Sequence, residues 1–139
     1  MLIIKNTLET TATPINLWQV LQDVETWKDW DHEIELSHID GPFQAGTHGS
    51  LKLTNGPLLK TLLTRVEPFT MFVQEAQLFL AKVVMTHSIS QVAGKTHVTF
   101  QTEICGPLAF FFACLLGSSI KKKIPVEMRE MLKKAENLG

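Results

Sequence analysis

With 139 residues the chain holds about one domain's worth of sequence, and a second full domain does not fit. Apolar residues make up 45% and charged residues 19%, which excludes a disordered chain. The balance of 13 basic against 14 acidic groups excludes a bulk electrostatic pull toward nucleic acid.

Cys105 and Cys114 are too few for a disulfide scaffold and sit in apolar contexts, so free buried thiols are expected. The start, Met1 to Lys5, turns polar too soon for the apolar core of a signal peptide. The most apolar run, Pro107 to Ile120, falls short of the roughly 20 residues that cross a bilayer. The expectation is a buried helix in a cytoplasmic protein with no stable membrane insertion. Lys121, Lys122 and Lys123 follow directly; a solvated helix face is the main reading, and contact with an acidic lipid surface the lesser one.

Residues 2–11 favour a strand, with Leu2, Ile4 and Leu8 set among threonines. Thr13-Pro14 then signals a helix start, a hydroxyl to cap free N–H groups followed by a proline where its missing N–H costs nothing. Leu17, Trp18, Leu21 and Val24 fall on one side of that helix. A second short helix is predicted over Trp27 to Glu33. From Ile34 to Cys105 the pattern changes to period two, with strands predicted at 34–40, 47–54, 59–67, 70–78, 80–91 and 96–105. Gly41-Pro42, Asn55-Gly56-Pro57, Glu67-Pro68 and Gly94-Lys95 punctuate them. The intervals are too short for crossover helices, so neighbours in sequence should pair antiparallel.

A two-residue turn at Gly94-Lys95 sets Ile89, His87 and Met85 opposite Phe100, Thr102 and Ile104, all on one apolar face with Val83 and Val98. Thr86, Ser88, His97 and Gln101 take the wet face. After Gly106-Pro107 the spacing of Leu108, Phe111, Phe112, Leu115, Ile124, Met128, Met131, Leu132 and Ala135 is helical to the end. Pro125 cannot donate to the carbonyl of Lys121, which predicts a kink or break around Lys122–Ile124. Such a helix is about 40 Å long, enough to cross a sheet of this size.

Several segments in this order carry a resemblance. They are Thr13-Pro14 with Trp18, the run Asp23 to Trp30, Gly41-Pro42-Phe43 with Gly46-Thr47, Arg65-Val66-Glu67-Pro68, Gly94, and Gly106-Pro107-Leu108. Over nearly the whole chain the sequence resembles the START-like, helix-grip superfamily (SRPBCC), and within it the polyketide cyclase/dehydrase group. The resemblance implies a single α+β domain over residues 1–139. Its seven-stranded curved antiparallel sheet carries two short helices and is gripped by a long C-terminal helix. It also implies a pocket between sheet and helix. By position, Trp27 matches the tryptophan of the aromatase/cyclase slot and Arg65 its arginine. Leu63, Ile34 and His87 stand where those members carry a serine, a tyrosine and a second aromatic.

Arg65 has two readings. Facing inward, it is a permanent cation that polarises a carbonyl and steadies an enolate; facing outward, it pairs with Glu67 or Glu75 at little gain. Leu62, Thr64 and Val66 make an equally good inner face, so the pattern leaves both open. His87 is set inward by the hairpin, as an acid, a base or a ligand hydrogen-bond partner, or as a core imidazole satisfied by Thr102 or a water. Trp27, Trp30, Phe72, Met85, Phe100, Phe111, Phe112 and Leu115 are candidate pocket walls and equally candidate core. Asp29, Asp31, His32, Glu33 and Glu35 are adjacent rather than convergent and read as a solvated acidic helix, so no metal is expected. No cofactor signature is present.

The leading expectation is therefore a binding module for a hydrophobic or amphipathic small molecule such as a lipid, isoprenoid or polyketide. The alternative is a cyclase, aromatase or dehydratase that uses Arg65 and His87 on an enolisable ketide. A third is a cochaperone-like interaction domain, which an extensive exposed apolar patch would favour. A monomer or homodimer is expected, with no nucleic-acid partner.

Overall fold

The computed structural model describes residues 2–54 and 56–138; Met1 and Asn55 of the expected turn lie outside them. In chain order the elements are β1 (Leu2–Thr10), α1 (Pro14–Gln22), a 3₁₀ turn (Val24–Asp29), β2 (Ile34–Ile39), β3 (His48–Leu53) and β4 (Leu58–Glu67). Then come β5 (Met71–Leu78), β6 (Ala81–Val92), β7 (Lys95–Cys105) and α2 (Ala109–Glu136). The strands form one antiparallel sheet in the order β1-β7-β6-β5-β4-β3-β2. Every strand after the first pairs with its neighbour in sequence, and β1 closes the β7 edge. This is the curled sheet with a long C-terminal helix that the period-two pattern and the final helical run call for.

Local chemistry explains where the short elements begin and end. Thr13 caps α1, its Oγ1 accepting from the Asn16 N–H at 3.2 Å, and Leu17, Trp18, Val20 and Leu21 are buried. The second helix is a 3₁₀ turn that starts earlier than predicted and stops at Asp29. The Thr26 hydroxyl donates to the Asp23 carbonyl at 2.9 Å and tightens the chain early, while Asp31 Oδ1 accepts from the Glu33 N–H at 3.0 Å and ends any helix there. Trp27 is held inward by its Nε1–H donating to the Leu21 carbonyl at 2.8 Å.

Two details of register differ from expectation. The β6–β7 turn is Ala93-Gly94, with φ of +54° and +78°, because the two-residue turn that matches strand twist needs left-handed backbone at both positions. Ile89 therefore faces Val98, His87 faces Phe100 and Met85 faces Thr102. The slip is by an even number of residues, so every side chain keeps the face predicted for it.

In β4 the parity itself changes. Leu63 pairs with Gln74 but Arg65 pairs with Val73, so Thr64 is a bulge, two residues against one. Up to Leu63 the odd-numbered residues point inward, with Thr61 and Leu63 buried; beyond the bulge Arg65 and Glu67 point outward.

The C-terminal half of α2 is the grip. Ile124, Met128, Met131, Leu132 and Ala135 are buried against the sheet and α1, and the Thr10 hydroxyl donates to Glu136 Oε2 at 2.6 Å. The helix is unbroken from Ala109 to Glu136, through Lys122–Ile124, where the sequence predicts a kink or break, and through Pro125. The N-terminal half stands off the sheet, leaving Phe110, Phe111 and Leu115 exposed. Cys114 is also exposed there and Cys105 is partly buried, so the thiols are free but not the buried pair expected. Among the described residues no helix is long and apolar enough to cross a membrane.

Candidate ligand-binding site

Where α2 stands off the sheet, a cavity of ≈ 240 Å³ opens to solvent. Its roof is one stripe of the helix: Leu116, Ile120, Ile124 and, at its end, Glu127. Its walls are inward residues of successive strands, among them Leu51, Leu59, Ala76, Val83 and Met85. Trp27, Trp30, His87 and Phe100 line the same space.

Six of the predicted residues meet at this cavity: Trp27, Trp30, Met85, His87, Phe100 and Thr102. The other five do not. Phe72 is fully buried behind His87, stacked on its ring at 4.4 Å, and belongs to the core. Phe111 and Leu115 lie on a helix stripe that points to solvent. Phe112 stands one turn beyond the roof stripe, edge-on to Phe111 at 5.2 Å. Arg65 is the main correction. The Thr64 bulge turns it to the outer face, where its side chain is 62% exposed and pairs with Glu67. Arg65 and His87 therefore do not share a cavity.

His87 is set deep in the wall, stacked on Phe72 and edge-on to Phe100 at 4.3 Å. This apolar setting disfavours the imidazolium and pushes its pKa down to about 3, so the ring is neutral at physiological pH. Its Nδ1 finds no partner among the described residues, and Thr102, the expected partner, faces Met85 instead. The Trp30 Nε1–H likewise lacks an acceptor. Both rings belong to the cavity wall, so the site carries polar capacity that the fold leaves unused.

The acidic segment read as a solvated helix supplies the remaining chemistry. Asp29 pairs with Lys134 at 3.1 Å, Glu35 with Lys52 at 3.2 Å, and Glu33 with Lys123 at 2.6 Å. The Glu33–Lys123 pair lines the cavity with both side chains 46% exposed, which places it at the opening. Asp31 turns inward and hydrogen-bonds to Glu127. Two carboxyl groups side by side resist ionising together, so the pair holds on to one proton. Burial and the neighbouring Asp31 raise Glu127 to about 9, and burial also raises Asp31. Glu127 carried a legible signal, since it falls on the roof stripe three residues after Ile124. Its partner 96 positions earlier did not. Among the described residues no three histidine, cysteine or carboxylate side chains are placed to hold a metal.

No family model and no curated protein sequence matches the chain. Solved structures do. The Zhui aromatase/cyclase of Streptomyces sp. R1128 superposes with a TM-score of 0.78 at 12% identity, over 97% of this chain and 93% of that one. Norcoclaurine synthase of Thalictrum flavum gives 0.71 at 14% identity, over 99% and 86%. The Aha1 dimer of Colwellia psychrerythraea gives 0.70 at 17% identity, over 98% and 97%. Identity is low throughout while the architecture is shared, and this chain has the helix-grip fold.

Proposed function

We propose that the protein binds a hydrophobic or amphipathic small molecule in the cavity between the sheet and α2. The observation that carries this reading is an open cavity of ≈ 240 Å³ with mainly aliphatic and aromatic walls in a protein that otherwise packs densely around Leu17, Leu21, Phe72 and Met128. Apolar wall left facing water beside a filled core is stabilised when an apolar guest covers it. The neighbours point the same way at a coarser level, being named as an aromatase/cyclase and a norcoclaurine synthase.

Native mass spectrometry with solvent extraction of freshly purified protein tests the reading. A retained apolar species is expected. Ala76, buried in the cavity wall, provides the control, because Ala76→Phe fills the space and should abolish retention. Retention that persists in Ala76→Phe would place the guest elsewhere, and failure of the wild type to take up any apolar probe would end the proposal.

The cyclase alternative would need a proton-handling pair other than Arg65 and His87, and the hydrogen-bonded Asp31 and Glu127 are what favours keeping it. An enolisable ketide analogue should then lose its α-proton to deuterium in D₂O faster with the protein than with Glu127→Gln. Equal exchange rates would leave binding alone.

A further inference from the structure

We infer that Asp31 and Glu127 form a recognition point for a basic nitrogen, so that the guest is an amphipathic amine whose apolar body occupies the cavity and whose ammonium group replaces the shared proton. The inference rests on the cavity being a binding site and deepens that reading.

Charge at the opening decides the sign of the guest. Asp31, Glu33 and Glu127 line the cavity against one ammonium, Lys123. Lys123 is committed to Glu33 at 2.6 Å. The other ionisable groups near the pair are His32, on the same turn as Asp31, and His87 in the sheet wall, which is neutral. With one proton between Asp31 and Glu127 the rim carries one excess negative charge. An entering ammonium that takes the place of the shared proton leaves the local sum unchanged at one negative charge, whereas a carboxylate guest would double the excess. A second observation points to a guest in the same space. The unpartnered His87 and Trp30 line the cavity, and polar groups on the body of a guest would give them the partners the fold does not.

The exchange has a stoichiometry. The ammonium enters protonated, the pair loses one proton to solvent, and no covalent bond forms or breaks. Affinity should therefore rise with pH, toward about tenfold per unit, until the pair sheds its proton unaided near pH 9.

Titration calorimetry with octylamine, 1-octanol and octanoate on the whole chain tests this, each in two buffers of unlike ionisation enthalpy. Octylamine is expected to bind at least about tenfold more tightly than 1-octanol at pH 7.5, with release of close to one proton, and octanoate more weakly than either. In Glu127→Gln the ratio of amine to alcohol affinity should fall toward one and proton release should vanish. If 1-octanol or octanoate binds as tightly as octylamine, or octylamine binds with no proton release, the cavity stands and the amine inference falls. If none of the three binds, the cavity reading falls and takes the inference with it.

Discussion

The carboxyl pair should leave its mark on stability. In the unfolded chain Glu127 ionises around its ordinary value of 4.5, whereas in the fold it keeps its proton to about 9. Between those limits the folded protein binds more protons than the unfolded one, so stability contributed by this group is lost as pH rises and is constant beyond the window. One proton sets a ceiling of about 1.4 kcal/mol per pH unit, and sharing with Asp31 and partial access to water bring the effect from pH 6.5 to 8.5 to about 1–3 kcal/mol. For a chain of this size that corresponds to a fall in Tm of about 4–10 °C. Glu127→Gln keeps the shape and an N–H for Asp31 but cannot ionise. Thermal melts at half-unit intervals should therefore show wild type falling through the window while the variant stays nearly level and overtakes it. A wild-type Tm that does not change between pH 6.5 and 8.5, or a variant that falls as steeply, would refute the shared proton.

Three further outcomes are expected. His87 is charged below pH 6.5 in the unfolded chain but neutral to about 3 in the fold, so stability falls as pH drops through that range; His87→Leu should show a shallower acid limb in urea melts. Gly106 has a φ of +108°, and a Cβ there would lie 2.9 Å from Ala81 Cα and 3.0 Å from the Leu80 carbonyl oxygen, so Gly106→Ala should lower stability by about 1–3 kcal/mol in the same assay. Arg65→Ala removes an exposed ion pair with Glu67 and should cost no more than about 1 kcal/mol, with 1-octanol affinity unchanged by calorimetry; a large loss of affinity would return Arg65 to the cavity.

The parts of this protein that could be read from sequence are those set by local periodicity and turn chemistry. The alternation through β6 and β7 put His87, Met85, Phe100 and Thr102 on the inner face, and that assignment survived a wrong turn position because the slip was even. Thr13-Pro14 located α1 through capping, and the apolar spacing after Pro107 located α2. What could not be read depends on tertiary partners. Asp31 looks solvated until Glu127 is brought across from the far helix. Phe111 and Leu115 look like core residues until that helix lifts off the sheet. Arg65 could not be placed because Leu62, Thr64 and Val66 offered an equally good inner face. The bulge that decided it leaves no mark in the residue types of Leu63-Thr64-Arg65.

Within this architecture the interior's charge hangs on a single residue of strand length. Thr64 adds no chemistry of its own, yet its presence sends a guanidinium to the water and turns Val66 toward the core in its place. Two chains with the same lettering around this strand can thus turn opposite groups toward the sheet's inner face, one apolar and one cationic. Counting side chains across the ladder from β5 tells them apart, and matching columns of letters does not.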